Sequence, residues 1–221
     1  MRRFDIVISG ARMVLNRVLR SEESIARNVC DQPKSEPKSA LRATLLATRE
    51  AQSEQAGQVA KNAALAARIE EVLARHDARC VGLYWPVAGE FDARAAMTRW
   101  LAADAARGGA LPVVVKPHAP MVFHAWSAHM PMKEGRYRIP VPAEERVVVP
   151  ELLLIPCVGF DAHRYRLGYG GGYYDRTLAA WPDAKRPVTI GIAYESGKCG
   201  VLPRETHDMP LDAIVTESAI Y

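Results

Sequence analysis

Residues 152–176 read LLLIPCVGFDAHRYRLGYGGGYYDR, and the rest of the chain reads as a scaffold for them. Leu152 to Ile155 form an apolar, β-prone run closed by Pro156. Gly168, Gly170, Gly171 and Gly172 follow, and Tyr173, Tyr174, Asp175 and Arg176 open what the pattern predicts to be a helix over 173–180. A buried strand, a glycine-rich loop and a helix start together bring backbone N–H groups to an anion, which points to a nucleotide. Two familiar glycine loops are excluded. A Walker loop ends in Gly-Lys-Ser/Thr, whereas Gly172 is followed by Tyr173 and Tyr174; the dinucleotide fingerprint needs glycine where Tyr173 stands. Arg166 before the glycines and Asp175 after them supply a phosphate-binding cation and a candidate magnesium ligand.

Working outward, 221 residues that are 49% hydrophobic suffice for one α/β-sized core. The net charge of +4 suits a small anionic ligand and falls short of the concentrated basic surface of a nucleic-acid binder. Cys30, Cys80, Cys157 and Cys199 form no Cys-x-x-Cys pair, which argues against zinc fingers and a secreted disulfide framework and for a reducing cytoplasm. No apolar run approaches the ~20 residues that cross a bilayer. Residues 1–37 read as an N-terminal extension and linker without fixed order. Arg2, Arg3, Arg12, Arg17, Arg20 and Arg27 resemble those of a transit peptide, but Asp5, Glu22 and Glu23 are unusual in one, so a plain tail or a start set too early fits as well. The domain is expected over 38–221.

From Lys38 to about Arg75 the composition predicts two helices or one broken at Gly57. At about 100° per residue, Arg42 and Arg49 lie about 40° and 20° from Lys38 around such a helix, so the three cations share a face, with Leu41 and Leu45 beside them. Strands are expected over 81–86, 111–116, 121–126 and 188–194, and Asp92 is placed to cap a helix running to about Arg107. His118, His124 and His129 match no zinc spacing. The alternation of strands and helices predicts an α/β fold: a single three-layer domain, a central mostly parallel sheet with helices on both faces, and the site at the carboxyl ends of the strands.

The string Phe160-Asp161, then Arg166-Leu167-Gly168-Tyr169-Gly170-Gly171-Gly172-Tyr173-Tyr174-Asp175-Arg176, resembles the signature of the 5-formyltetrahydrofolate cyclo-ligase (methenyltetrahydrofolate synthetase) family. The resemblance spans about 38–216 and implies an enzyme that uses ATP and magnesium to close 5-formyltetrahydrofolate to 5,10-methenyltetrahydrofolate. It implies Lys38, Arg42 and Arg166 as catalytic cations on the phosphates. ATP would be held by these three with Leu167, Gly168, Tyr169, Gly170, Gly171, Gly172, Tyr173 and Tyr174. The folate, with or without a polyglutamate tail, would meet Trp85 and Glu90 together with Tyr169, Gly170, Gly171, Gly172 and Tyr173. Asp175 and Asp208 would hold Mg2+, with Asp212 in reserve and His207 orienting the loop. A cytoplasmic monomer with no nucleic-acid or membrane partner is expected. Two departures stand out: Arg164 occupies a position where the family has glycine, and Val141 one where it has glutamate. If position 164 needs positive φ, arginine costs roughly 1 kcal/mol there. These departures keep alive an alternative, a non-catalytic folate- or nucleotide-binding paralogue. The interleaved tyrosine, arginine and glycine also suit RNA, but the balanced charge argues against it.

Overall fold

Leu152, Leu153, Leu154 and Ile155 are each no more than 1% exposed, a run of burial that requires a strand covered on both faces. The computed structural model describes residues 38–53, 57–182, 185–205 and 208–221. The expectations for residues 1–37 and for His207 lie outside the described residues. Pro37–Tyr221 forms one compact unit. Its elements in chain order are α1 (Lys38–Ser53), α2 (Gln58–Ala74), β1 (Cys80–Gly82), α3 (Arg94–Ala102), β2 (Gly108–Val113), β3 (Val122–Trp126), β4 (Met132–Glu134), β5 (Pro140–Pro142), β6 (Val147–Val148), β7 (Leu152–Pro156), β8 (Gly159–Phe160), β9 (Arg166–Leu167), α4 (Tyr173–Ala179), β10 (Val188–Ile192) and β11 (Ala213–Val215).

Seven strands make the main sheet in the order β11-β10-β7-β1-β2-β3-β6. The first five of these are parallel, and β3 and β6 are added antiparallel at one edge. The pairs β4–β5 and β8–β9 are small antiparallel hairpins outside it. Alternation along the strands sorts the core into two layers. Leu152 and Leu154 pack with Leu65, Ile69 and Leu73 of α2 and Met97 and Trp100 of α3. Leu153 and Ile155 pack on the opposite face with Phe123, Phe160 and Leu178 of α4. The result is the expected three-layer α/β arrangement.

From β1 the chain moves outward through β2, β3 and β6, then returns to the other side of β1 as β7 and continues to β10 and β11. The direction of winding therefore reverses between β1 and β7. Loops leaving the carboxyl ends of two such strands diverge and leave a crevice, the usual ligand position in a doubly wound sheet.

The break expected at Gly57 is present, with Gly57 at φ 103° ahead of α2. Other boundaries move. The strand expected over 111–116 is Gly108–Val113. A Cβ on Gly109 would sit 2.8 Å from the Trp126 carbonyl oxygen, so close strand approach requires the glycine that looks like a breaker in isolation. The helix after Asp92 ends at Ala102 instead of near Arg107, because Asp104 accepts from the Ala106 N–H and forms a turn. The first strand stops at Gly82 and the chain to Pro86 is a loop.

Candidate active site

The spacing of Lys38, Arg42 and Arg49 puts them on one face of α1, and the structure turns that face onto the segments that follow β7 and β10. Arg42 Nε donates to the Gly168 carbonyl at 2.5 Å. Arg49 donates through Nη1 to the Tyr169 hydroxyl at 3.2 Å and through Nη2 to the Cys157 carbonyl at 2.6 Å. Lys38 Nζ donates to Asp208 Oδ2 at 2.7 Å and Glu205 Oε1 at 3.0 Å. A helix face carrying three cations is ordinarily solvated; here Arg49 is only 6% exposed. Leu45 anchors the same face, since a Cβ on Gly159 would fall 2.6 Å from its Cδ1. Burial works against the charge on Lys38, but its bonds to Asp208 and Glu205 outweigh that and raise its pKa.

Opposite this face lies the glycine loop. Gly170 has φ 89° and Gly172 φ 62°, conformations that strain any residue with a Cβ. A Cβ on Gly170 would also lie 3.3 Å from the Arg42 guanidinium carbon. Gly168 has open space around it. Arg176 folds back to donate to the Gly171 carbonyl and lies over the Tyr173 ring, whose hydroxyl bonds that of Tyr137 at 2.6 Å. Leu167 is 3% exposed and Tyr174 packs against the core, so their side chains face inward. The helix after the loop has seven residues, too few for its dipole to dominate. Positive charge here comes from α1, Arg166 and Arg176.

The preceding turn is held by Asp161, 1% exposed. Its Oδ1 accepts from the His163 and Tyr165 N–H groups, and its Oδ2 from the Leu202 N–H and Arg204. Within this turn Arg164 takes φ 65°, the positive value considered for that position. It also makes a contact of its own, Nε to the Leu211 carbonyl at 3.0 Å. Val141, the other departure, is 5% exposed and paired with Lys133 across the β4–β5 hairpin, a packing position.

The two acidic residues of interest sit in separate ion pairs: Asp175 with Arg166 at 2.5 Å and Asp208 with Lys38 at 2.7 Å. Each therefore faces a cation expected to contact phosphate. Among the described residues no group of three or more His, Cys, Asp or Glu side chains converges on a metal position. An oxygen-only pair of carboxylates fits magnesium, which keeps several waters and takes phosphate oxygens as further ligands.

Glu90 follows β1 into the crevice. Its Oε2 accepts from the Val87 N–H at 2.9 Å, while Oε1 is buried without a hydrogen-bond partner. Burial pushes its carboxyl up to about 7, against the opposing effects of the Val87 N–H, the Arg49 charge and Tyr169. A cleft of about 220 Å³ opens beside it, lined by Arg49, Gln52, Gln58, Asn62, Gly89 and Tyr194. Trp85 is not in that cleft. It lines a second one of about 210 Å³ with Asp92, Arg94 and Trp126. Its ring is covered by the Arg94 guanidinium at 4.1 Å, which Asp92 holds through two oxygens. In the sequence Arg49 shares the face of Lys38 and Arg42 without a role of its own, and its angle to Lys38 is the local signal for its position here. Asn62 and Tyr194, bonded to one another at 2.8 Å, come from α2 and the end of β10 and carry no local signal at all.

Residues 34–217 match the model of the 5-formyltetrahydrofolate cyclo-ligase family. The 5-formyltetrahydrofolate cyclo-ligase of Escherichia coli (strain K12) is 34% identical over 105 residues, 48% of this chain and 54% of that protein, so the match spans about half the relative's length. The 5-formyltetrahydrofolate cyclo-ligase of Haemophilus influenzae is 30% identical over 146 residues, 63% of this chain and 76% of that protein. Among solved structures, Aquifex aeolicus 5,10-methenyltetrahydrofolate synthetase superimposes with a TM-score of 0.68 at 26% identity, covering 83% of this chain and 91% of that one. The Mycoplasma pneumoniae 5,10-methenyltetrahydrofolate synthetase shares the fold, with a TM-score of 0.65 at 23% identity, covering 82% of this chain and 99% of that one.

Proposed function

Because this chain belongs to the 5-formyltetrahydrofolate cyclo-ligase family, we propose that it closes 5-formyltetrahydrofolate to 5,10-methenyltetrahydrofolate at the expense of ATP. The reaction must expel the formyl oxygen, a poor leaving group in water. In the proposed sequence that oxygen attacks the γ-phosphate and ADP leaves. N10 then attacks the activated carbon, inorganic phosphate departs with the oxygen, and the N10 proton is released to solvent or to the departing phosphate. Such phosphoryl transfer depends on positioning and charge neutralisation more than on a nucleophilic side chain.

The observation that carries this reading is the α1 face laid against the glycine loop, with Arg42 on the Gly168 carbonyl and Lys38 on Asp208. Lys38, Arg42 and Arg166 are the cations for the phosphates, and the glycine-rich backbone from Gly168 to Gly172, open at Gly168, is the cradle. Asp175 and Asp208 would hold the magnesium ion. When bound, that ion would supply charge neutralisation at the phosphates. Arg166 and Lys38 are already paired with these carboxylates, so the charges balance before ligand arrives and can be redistributed when it does. The unpartnered Glu90 Oε1 suits an N–H of the pteridine, while Trp85 lies in a separate cleft under the Arg94 guanidinium.

The test is direct. Incubated with ATP, magnesium and 5-formyltetrahydrofolate, the protein should generate the absorbance of the methenyl product, and omission of ATP should abolish it. Binding of folate or ATP with no product would establish the non-catalytic alternative.

A further inference from the structure

Three segments that the chain brings separately to the crevice meet at one buried side chain. Arg49 reaches from α1 to the Cys157 carbonyl, just beyond the end of β7, and to the Tyr169 hydroxyl in the glycine loop. Its aliphatic stem lies under Gly89, where an added Cβ would be 3.5 Å from Arg49 Cδ, next to Glu90 in the loop leaving β1. Arg49 lines the cleft that Glu90 lines. We propose that Arg49 is the positioning residue of the folate-facing cleft: its buried guanidinium ties the segment after β7 to the glycine loop, its stem supports the loop after β1, and its charge faces Glu90. This rests on the reading of that cleft as the pteridine side of the site.

Chemistry explains why arginine serves here. The fork can donate to two acceptors in different directions while staying charged, which a lysine ammonium at the same point does less well. The groups facing Glu90 are Arg49 from α1, Tyr84 after β1, Cys157 after β7, Tyr169 from the glycine loop and Tyr174 from α4. Burial is the largest cause holding the phenols and the thiol above their usual ranges. Arg49 is therefore the cation among them at neutral pH. An ionised Glu90 accepts a hydrogen bond from a pteridine N–H through an otherwise unpartnered oxygen, and Arg49 favours that ionised form.

The test is binding of 5-formyltetrahydrofolate by calorimetry without ATP, so that turnover does not enter, across about pH 6 to 9 where a carboxyl near 7 titrates. The unsubstituted protein should bind more tightly as pH rises through about 7. Arg49→Met should weaken binding by about tenfold or more at neutral pH and move the rise to higher pH, since the cation that favours the carboxylate is gone. Arg49→Lys should bind with intermediate affinity and keep the rise near its original pH. An Arg49→Met protein with unchanged affinity, or one weakened equally at every pH, would overturn the proposal, the second because a merely structural role predicts it. Should Arg49→Met fail to fold by circular dichroism, Arg49→Gln, which also removes the charge, takes its place: weaker binding with the rise moved to higher pH supports the assignment, and unchanged affinity or equal weakening at every pH overturns it. If the unsubstituted protein itself binds no folate, the reading of the cleft is wrong and this assignment falls with it. If it binds folate and only the variants behave like it, the cleft stands and the role of Arg49 alone is lost.

Discussion

Glu90 shows how one residue can set opposing demands on binding and on stability. Its carboxyl is raised to about 7 in the fold, chiefly by burial, against about 4.3 in an unfolded chain. Between these values the folded protein holds a proton that the unfolded chain has released. The contribution is thus present at low pH and is lost as pH rises through the window. Glu90→Gln should raise stability at pH 8 by up to about 3 kcal/mol and change it little below pH 4, measured by urea denaturation at both pH values; a gain of equal size at both would contradict the assignment. The same variant should bind folate more weakly. Arg164 poses a different balance. Its φ of 65° costs roughly 1 kcal/mol relative to glycine, and its bond to the Leu211 carbonyl returns about as much. Arg164→Gly should therefore move stability by less than about 1 kcal/mol and leave turnover within about twofold. A large loss of turnover would show that the contact with Leu211 positions the site.

At the scale of elements, α1 lays a cationic face against the glycine loop. The helix after the glycine loop is seven residues long, and the neighbouring positive charge is delivered sideways by a helix distant in sequence. Arg42 is the direct link, on the Gly168 carbonyl and 3.3 Å from where a Cβ on Gly170 would sit. Arg42→Ala is expected to lower turnover by about two to three orders of magnitude, the usual cost of removing a preorganised charge from a transferring phosphoryl group. Circular dichroism should show folding intact, because the residue is half-buried at the rim of the core. Steady-state kinetics with the product absorbance as readout checks this, and near-normal rates would remove α1 from the mechanism. The amphipathic pattern of α1 and the glycine loop were each visible in the chain. Their contact was not, since more than a hundred residues separate them and helical periodicity says which face is cationic, not what it meets.

For the whole molecule, the reversal of winding between β1 and β7 is what assembles the site. It needs β7 and β10 packed closely under the loops they support. Gly191 sits within β10, where an added Cβ would be 2.6 Å from Ile214, 2.7 Å from Leu211 and 3.0 Å from Cys157 Sγ. Gly191→Ala should destabilise the fold by about 1–3 kcal/mol through overpacking, read as a lower urea midpoint with unchanged slope. An unchanged midpoint would mean that Ile214 and Leu211 yield without cost.

The residue sequence by itself determined the local grammar of this protein: the apolar run from Leu152 to Ile155, the glycine cluster at 168–172, the break at Gly57, and the angular alignment of Lys38, Arg42 and Arg49. These follow from covalent geometry and short-range periodicity, which act within a few residues. Only the tertiary structure decided that Arg49 is buried between two loops, that Asp175 and Asp208 lie in separate ion pairs, that Trp85 and Glu90 line different clefts, and that Gly109 belongs inside a strand. Each of these depends on which distant segments are brought side by side, and that is set by the order of strands in the sheet.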